Sequence, residues 1–349
     1  MGENHAVEDA AGMKPIRTPA QGSDARVERP IDFHRDRHFL CTKCGHRWTV
    51  DLDWIERWAQ GHERCPGCGV DCTEENAPRV TVDPNDPALV DENVPRFSWY
   101  HTSTHADWPP VGIDPAAGLT PQTRLMMGGD ARVAAWADRQ RAKALHVGTY
   151  EAAIHNMLRR LDDQGDDGKQ FYPYRVHLRQ DIVVRESWLI DPSNFVGDVE
   201  LAEVCPPGID VARYLNYHED PGGLSLALGR DAIAATQQVA IPTATNLDED
   251  WATSTTDDIR TATEVPPRPM GMHTARVTLT PEMHRAQRFA EELSQTLPVN
   301  LREQFRSALG YRFDADPDRW VRSALELVTS IVAPNRMLTD LAGQAIRAI

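Results

Sequence analysis

The chain has no apolar run approaching the roughly 20 residues that a membrane-spanning helix needs. Its opening residues, MGENHAVEDAAGMKPIRTP, lack the charged-then-apolar pattern of a secretory signal. These absences make a cytoplasmic location the expectation and exclude a membrane partner of the spanning kind. The myristoylation pattern fails after Met1-Gly2 because position 6 is Ala and not Ser or Thr. Positive charge is also scarce. The net charge is −15, so nucleic acid is not a favoured partner, since binding it needs a positive field. The basic residues present are four lysines against thirty-three arginines. No P-loop, no G-x-G-x-x-G dinucleotide motif and no internal repeat can be found.

What is present is enough chain for two or three domains. The 349 residues are 41% hydrophobic and 26% charged, an ordinary globular composition. Residues 1–34 are polar and aperiodic and read as a disordered tail. Residues 35–80 hold the cysteines, residues 96–240 mix strand and helix patterns, and residues 241–272 are polar, proline-bearing and linker-like. Residues 273–349 read as helices. Thr280-Pro281 and Asp316-Pro317 are helix starts. Asn300 with Glu303 has the capping-box spacing, and Gly310 follows as a stop. Pro334 introduces a last helix carrying Met337, Leu338, Leu341 and Ile346. The fold class expected is therefore α+β.

Five of the six cysteines fall within 41–72, in CTKCGHRW and CPGCGVDC. A Cys-x2-Cys, spacer, Cys-x2-Cys pattern supplies four thiolates to one tetrahedral ion, with Gly45 and Gly69 making the tight turns. Cys41, Cys44, Cys65 and Cys68 are the expected ligands of a structural zinc in a zinc-ribbon module, with Cys72 spare and His46 and His62 as lesser alternatives. The module carries seven Lys/Arg against eight Asp/Glu, so a scaffold or protein-contact role is at least as natural as nucleic-acid binding. Between the knuckles, Trp54, Ile55 and Trp58 lie at helical spacing and suit a small core.

Three stretches of the middle region place polar side chains where a strand meets a turn or helix. They are SWYHTSTHADW (98–108), ALHVGTYEAAIHNML (144–158, leading to FYPYRVHL) and ARYLNYHEDPGGLSLAL (212–228). Each alone has a structural reading. Thr149 is a good N-cap for a helix through Ala152, Ala153, Ile154, Met157 and Leu158. Asp-Pro-Gly-Gly makes a turn, and Leu224–Leu228 alternates like a half-buried strand.

In this order the stretches resemble the ADP-ribosyltransferase folds of phage and bacterial-toxin type. Tyr100-His101-Thr102-Ser103 looks like the opening strand, and His146-Val147-Gly148-Thr149 with Ala152-Ala153 like the second element. Tyr172-Pro173-Tyr174-Arg175-Val176 looks like the following strand, and Tyr214-Leu215-Asn216 through Glu219-Asp220, Gly222, Gly223 and Ser225 like the last. The resemblance covers roughly 98–235. It departs from the family at Thr102, where Gly is usual, at Gly223, where Ser is usual, and at Leu226, where an aromatic is common.

The resemblance implies a mixed split-sheet domain that binds NAD as substrate and transfers ADP-ribose to a macromolecular acceptor. Glu219 would stabilise the oxocarbenium-like ribose, with Asp220 as the competing carboxylate. His101 and Ser103 would hold the adenosine ribose. Thr102, His146, Gly148, Thr149, Tyr150, Tyr214 and Asn216 would complete the NAD site, and Tyr150, Tyr172, Tyr174 and Tyr214 compete to stack on nicotinamide. The alternative is a non-catalytic phage structural or host-interaction protein with a degenerate transferase fold and a protein partner. A third reading, metal hydrolysis through His101, His105, Asp107 and His146, is opposed by the Trp-Tyr and Trp-Pro-Pro flanks, which do not read as a helix. Cys205, in Cys-Pro-Pro-Gly, reads as part of a turn and not as a nucleophile.

Overall fold

Arg37, Phe39 and Cys41 point inward in β1 (Arg37–Cys41), with His38 and Leu40 half-buried between them, as the two-residue strand period requires. β1 pairs antiparallel with β2 (Arg47–Val50) on one side, and β3 (Pro78–Thr81) lies on its other side. The structure is a computed structural model. It describes residues 26–349 except 76, 113, 164–165, 167–168, 194–197, 243–248, 264–279 and 312–314. Asp51 accepts from the Trp54 amide and starts α1 (Leu52–Ala59). The Trp54 and Trp58 rings meet Phe39 edge-on at 4.7 and 5.4 Å, so the tryptophan segment forms the small core expected. That core is not closed on itself. Phe39, Val50 and Val80 belong to one cluster with Trp99, Val176, Leu226 and Leu228 of the central region. The ribbon is a layer of a larger body, a continuity that its sequence gives no hint of.

The central region contains β4 (Trp99–Ser103), α2 (Pro121–Met126), α3 (Asp130–Arg141), β5 (Leu145–Val147), α4 (Tyr150–Asp163) and β6 (Tyr172–Leu178). It continues through β7 (Val184–Ile190), α5 (Leu201–Val204), β8 (Val211–Leu215), β9 (Leu224–Leu228) and β10 (Ile233–Gln238). The strands form two four-stranded sheets. One is ordered β5-β9-β8-β7. The other, β10-β6-β4, is extended at its β10 edge by β11 (Arg347–Ala348). The sheets touch where Tyr100 and Gly148 exchange two backbone hydrogen bonds of 2.9 Å. Gly148 also lets α4 and β9 pack closely beside this junction: a Cβ there would lie 2.9 Å from the Ser225 hydroxyl and 3.0 Å from the Ala152 methyl. β9 is buried on both faces, not one. Leu224, Leu226 and Leu228 join the large core, while Ala227 packs with Ala144, Val204 and Tyr214 on the other side.

The helical segment wraps α4. Ile154, Met157 and Leu158 share a cluster with Phe305, Trp320 and Val328. The helices are α6 (Glu249–Arg260), α7 (Pro281–Ser294), α8 (Val299–Ala308), α9 (Pro317–Val332) and α10 (Pro334–Ala342). Thr280 and Asp316 cap α7 and α9 as their Pro neighbours predict. Asn300 is not a cap. Pro298, its φ fixed at −51°, takes that place, and Asn300 falls inside the first turn of α8. α6 lies within the expected linker, where Ala252, Thr255, Thr256 and Ile259 give it a buried face. Ile346 lies beyond the end of α10 and is exposed.

The expected tail is also corrected over 26–34. Arg29 stacks on Trp99 at 4.3 Å, Glu28 pairs with Arg175 at 2.6 Å, and Phe33 packs on Tyr150 at 6.2 Å. Residues 1–25 of that tail, and 243–248 and 264–272 of the linker, lie outside the described residues.

Candidate functional site

The two cysteine knuckles are near copies. Gly45 donates to the Cys41 carbonyl and Gly69 to the Cys65 carbonyl, each at 2.8 Å. Both glycines are left-handed, with φ of +73° and +70°. The four sulfurs lie within 4.8 Å of one another. Cys41–Cys68 and Cys44–Cys65 are 3.8 and 3.7 Å apart. A tetrahedron with metal–sulfur bonds of about 2.3 Å has edges of about 3.8 Å, so the site fits a metal such as zinc. Burial would raise the Cys41 thiol, but the Cys44 amide and neighbouring thiols hold it down to about 7. Cys72 lies beside Asp71, and His46 stacks on Trp48, both outside the cluster. Cys44 and Cys68 are exposed, so one side of the centre faces solvent.

The second site is a row of rings crossing the junction of the sheets. His101, on β4, donates Nδ1–H to the His146 carbonyl at 2.9 Å, which leaves its Nε2 as an acceptor. Trp108 covers one face of the ring, with centroids 4.1 Å apart. Burial, and then the Arg160 charge, push the His101 imidazole down to about 3, so it is neutral at physiological pH. His146, on β5, meets the Tyr214 hydroxyl through Nδ1 at 3.0 Å. Its Nε2 is buried and has no hydrogen-bond partner. Burial lowers this imidazole too, opposed by the charges of Asp191, Glu219 and Asp198. Glu219 also raises the Tyr214 phenol electrostatically, after burial and Asp191.

The Glu219 turn is built from Asn216. Its Oδ1 accepts from the amides of His218, Glu219 and Asp220 at 3.0, 2.8 and 3.1 Å, while Nδ2 donates to Ser225 at 3.1 Å. Helix α4 supplies the other wall. His155 bonds the Glu219 carbonyl at 2.5 Å, Arg159 pairs with Glu219 Oε1 at 2.7 Å, and Asn156 reaches the same oxygen at 3.4 Å. The Glu219 side chain remains 14% exposed.

Asp220 is at 1% exposure, held by Arg35, by Arg37 at 3.3 Å and by the Thr149 hydroxyl at 2.8 Å. Burial would raise its carboxyl, but the two guanidiniums and Thr149 keep it below the usual range. All three partners occupy it, so Asp220 ties the turn to β1 and to the start of α4.

The residues expected from the sequence separate into two groups. His101, His146 and Tyr214 come together through direct contacts, with Gly148 at the sheet junction, while the contacts of Glu219 are to Asn216 and to His155, Asn156 and Arg159 of α4. Asn216 and Thr149 act on the scaffold: Thr149 accepts from the Ala152 amide at 3.0 Å and caps α4, besides binding Asp220. Thr102 and Ser103 are buried, donating to the Ala153 carbonyl and accepting from the His105 amide. Tyr150 is in the wrong place for a nicotinamide: it is buried between Tyr100 and Phe33, with its hydroxyl donated to the Ser330 carbonyl at 2.9 Å. Tyr174 is fully buried against Trp108, Tyr172 is half-buried at the start of β6, and Tyr214, itself buried, is the tyrosine that touches His146.

The hydrolytic-metal reading loses its geometry, because His101 Nδ1 is taken by a carbonyl and the cysteines are the only metal-ligating cluster among the described residues. Burial pushes the Cys205 thiol up to about 11, against a nucleophilic role. The sequence reading missed His155, Asn156 and Arg159, whose i, i+1, i+4 spacing on α4 was the available signal, and Trp108, which had none.

The chain matches no family model, no curated protein and no solved structure. Among the described residues no helix is long and apolar enough to cross a membrane.

Proposed function

We propose that the chain binds NAD at the junction of its two sheets and transfers ADP-ribose to a macromolecular acceptor, with a zinc held by Cys41, Cys44, Cys65 and Cys68 as a structural staple. The observation that carries this reading is the buried His146 Nε2 without a partner. A buried polar nitrogen left unsatisfied costs about 1–3 kcal/mol, which a hydrogen-bonding group of a bound ligand would recover. Around it stand the groups that a dinucleotide needs. Neutral His101 offers Nε2 to a ribose hydroxyl. Tyr214 presents a ring beside His146. The Arg159 and Asn156 contacts both fall on Glu219 Oε1, which leaves Oε2 to accept from a 2′-hydroxyl. As the nicotinamide–ribose bond breaks, positive charge develops on the ribose, and the Glu219 carboxylate stabilises it. Nicotinamide leaves with the bonding electrons, and an acceptor nucleophile attacks the opposite face of the ribose.

A second reading, a non-catalytic zinc-stapled scaffold that binds a protein partner, is favoured by the Arg159–Glu219 ion pair itself, which can serve purely to lock the turn onto α4. Nicotinamide release from labelled NAD separates the two. The first reading expects release by the wild type and its loss, by about a hundredfold or more, in Glu219→Gln. Absence of both release and label transfer with the wild type favours the scaffold.

A further inference from the structure

Arg35 and Arg37 belong to the metal module's first strand and its approach, yet their guanidiniums are committed to Asp220, nearly two hundred residues away. Arg37 is 3% exposed and Asp220 1%. β1 carries both ends of the connection. Cys41 terminates it at the metal, and Arg37 begins it at Asp220. Four residue steps separate them, about 13 Å at 3.3 Å per residue. The neighbouring strand β3 touches the same turn. A Cβ on Gly222, which sits at φ +87°, would come within 3.2 Å of the Thr81 carbonyl and of a Val80 methyl. The turn is thus pressed against the backbone of the ribbon sheet and held to it by a buried ion pair. Arg37 and Asp220 are both buried, so pulling the strand away from the turn would leave buried charges without their counter-charges, at a high cost.

We propose that Asp220 is a positioning residue through which metal occupancy of the ribbon sets the order of the Glu219 turn. Metal in the knuckles holds the Cys41 end of β1. The strand then presents Arg37 and Arg35 at a fixed height, and Asp220 takes its place between them and Thr149. Glu219, the preceding residue, is aimed by the same contacts. Calling this turn catalytic rests on the proposed NAD reading; the coupling itself does not.

Hydrogen exchange on the full chain, loaded with zinc and then treated with a chelator, tests it. The amides at 218–223 should exchange about tenfold faster or more once the knuckles at 41–45 and 65–69 lose protection, while α9 stays protected. A second arm keeps the metal. Arg35→Gln, at a side chain that is 31% exposed, should loosen the turn with one zinc still bound, and Arg35→Lys should restore its protection. A turn as protected without metal as with it overturns the proposal. If chelation exposes α9 together with the turn, the selective coupling is overturned, and an unchanged turn in Arg35→Gln overturns it equally. Neither arm uses NAD, so an inactive wild type sinks the transferase reading and leaves this coupling standing.

Discussion

His101 shows how burial fixes the chemistry of one side chain. Its imidazole titrates near 3 in the folded chain, against a usual value near 6.5. The unfolded chain therefore binds more protons between those values, and stability falls as pH drops through about 6.5 toward 3. Burial lowers His146, His155 and His177 as well, so they add in the same direction. Urea denaturation from pH 7 to pH 4 should show this loss. His101→Gln should make it shallower, by up to roughly 1.4 kcal/mol for each tenfold step in proton concentration below the ordinary imidazole range. Asn216 makes a different point. Its Oδ1 serves three amides, so Asn216→Ala should cost about 2 kcal/mol by denaturation, with the far helices still folded. The residue types of this row were legible in the sequence, because Asn before a Glu-Asp-Pro-Gly turn and His before Gly-Thr each have a local logic. Arg159 over Glu219 and Trp108 over His101 were not, since a pairing across sixty residues or a ring stack leaves no local pattern.

Secondary-structure elements divide along the same line. Thr149, Thr280 and Asp316 cap helices as their immediate neighbours require. The two Cys-x2-Cys-Gly turns adopt left-handed glycines in the positions their spacing demands. A Cβ at Gly45 or Gly69 would meet nothing within 4 Å, so the cost of an Ala there is confined to backbone conformation. Gly45→Ala and Gly69→Ala should each cost about 1 kcal/mol, read as a roughly fivefold weaker hold on zinc in chelator competition. Elements set by long-range burial escaped the sequence reading. α6 is polar along most of its surface and is recognisable only by the four residues it buries. Segment 26–34 has no periodicity, yet a stack on Trp99 and an ion pair to Arg175 fix it.

At the scale of the molecule, the expected chain of modules becomes one body with shared cores. The ribbon's Phe39 and Val80 sit in the cluster of the two sheets, and the helical segment closes over α4, with Tyr150 bonded to Ser330. Unfolding followed by tryptophan fluorescence and by far-ultraviolet circular dichroism should therefore coincide in one transition; a separate early transition of the ribbon tryptophans would show the modules to be independent.

The composition and motifs could announce α+β and a four-cysteine site, but not that the cysteine module leans on the Glu219 turn. The proposed NAD reading further requires that the ring row receive a ligand. The most direct measurement is a titration of isotope-labelled, zinc-loaded protein with NAD, following the imidazole nitrogens of His146 by magnetic resonance. A saturable shift of the His146 Nε2 signal, weakened in His101→Ala, is the predicted result. An Nε2 signal that stays where it is at NAD concentrations in the millimolar range would contradict the account.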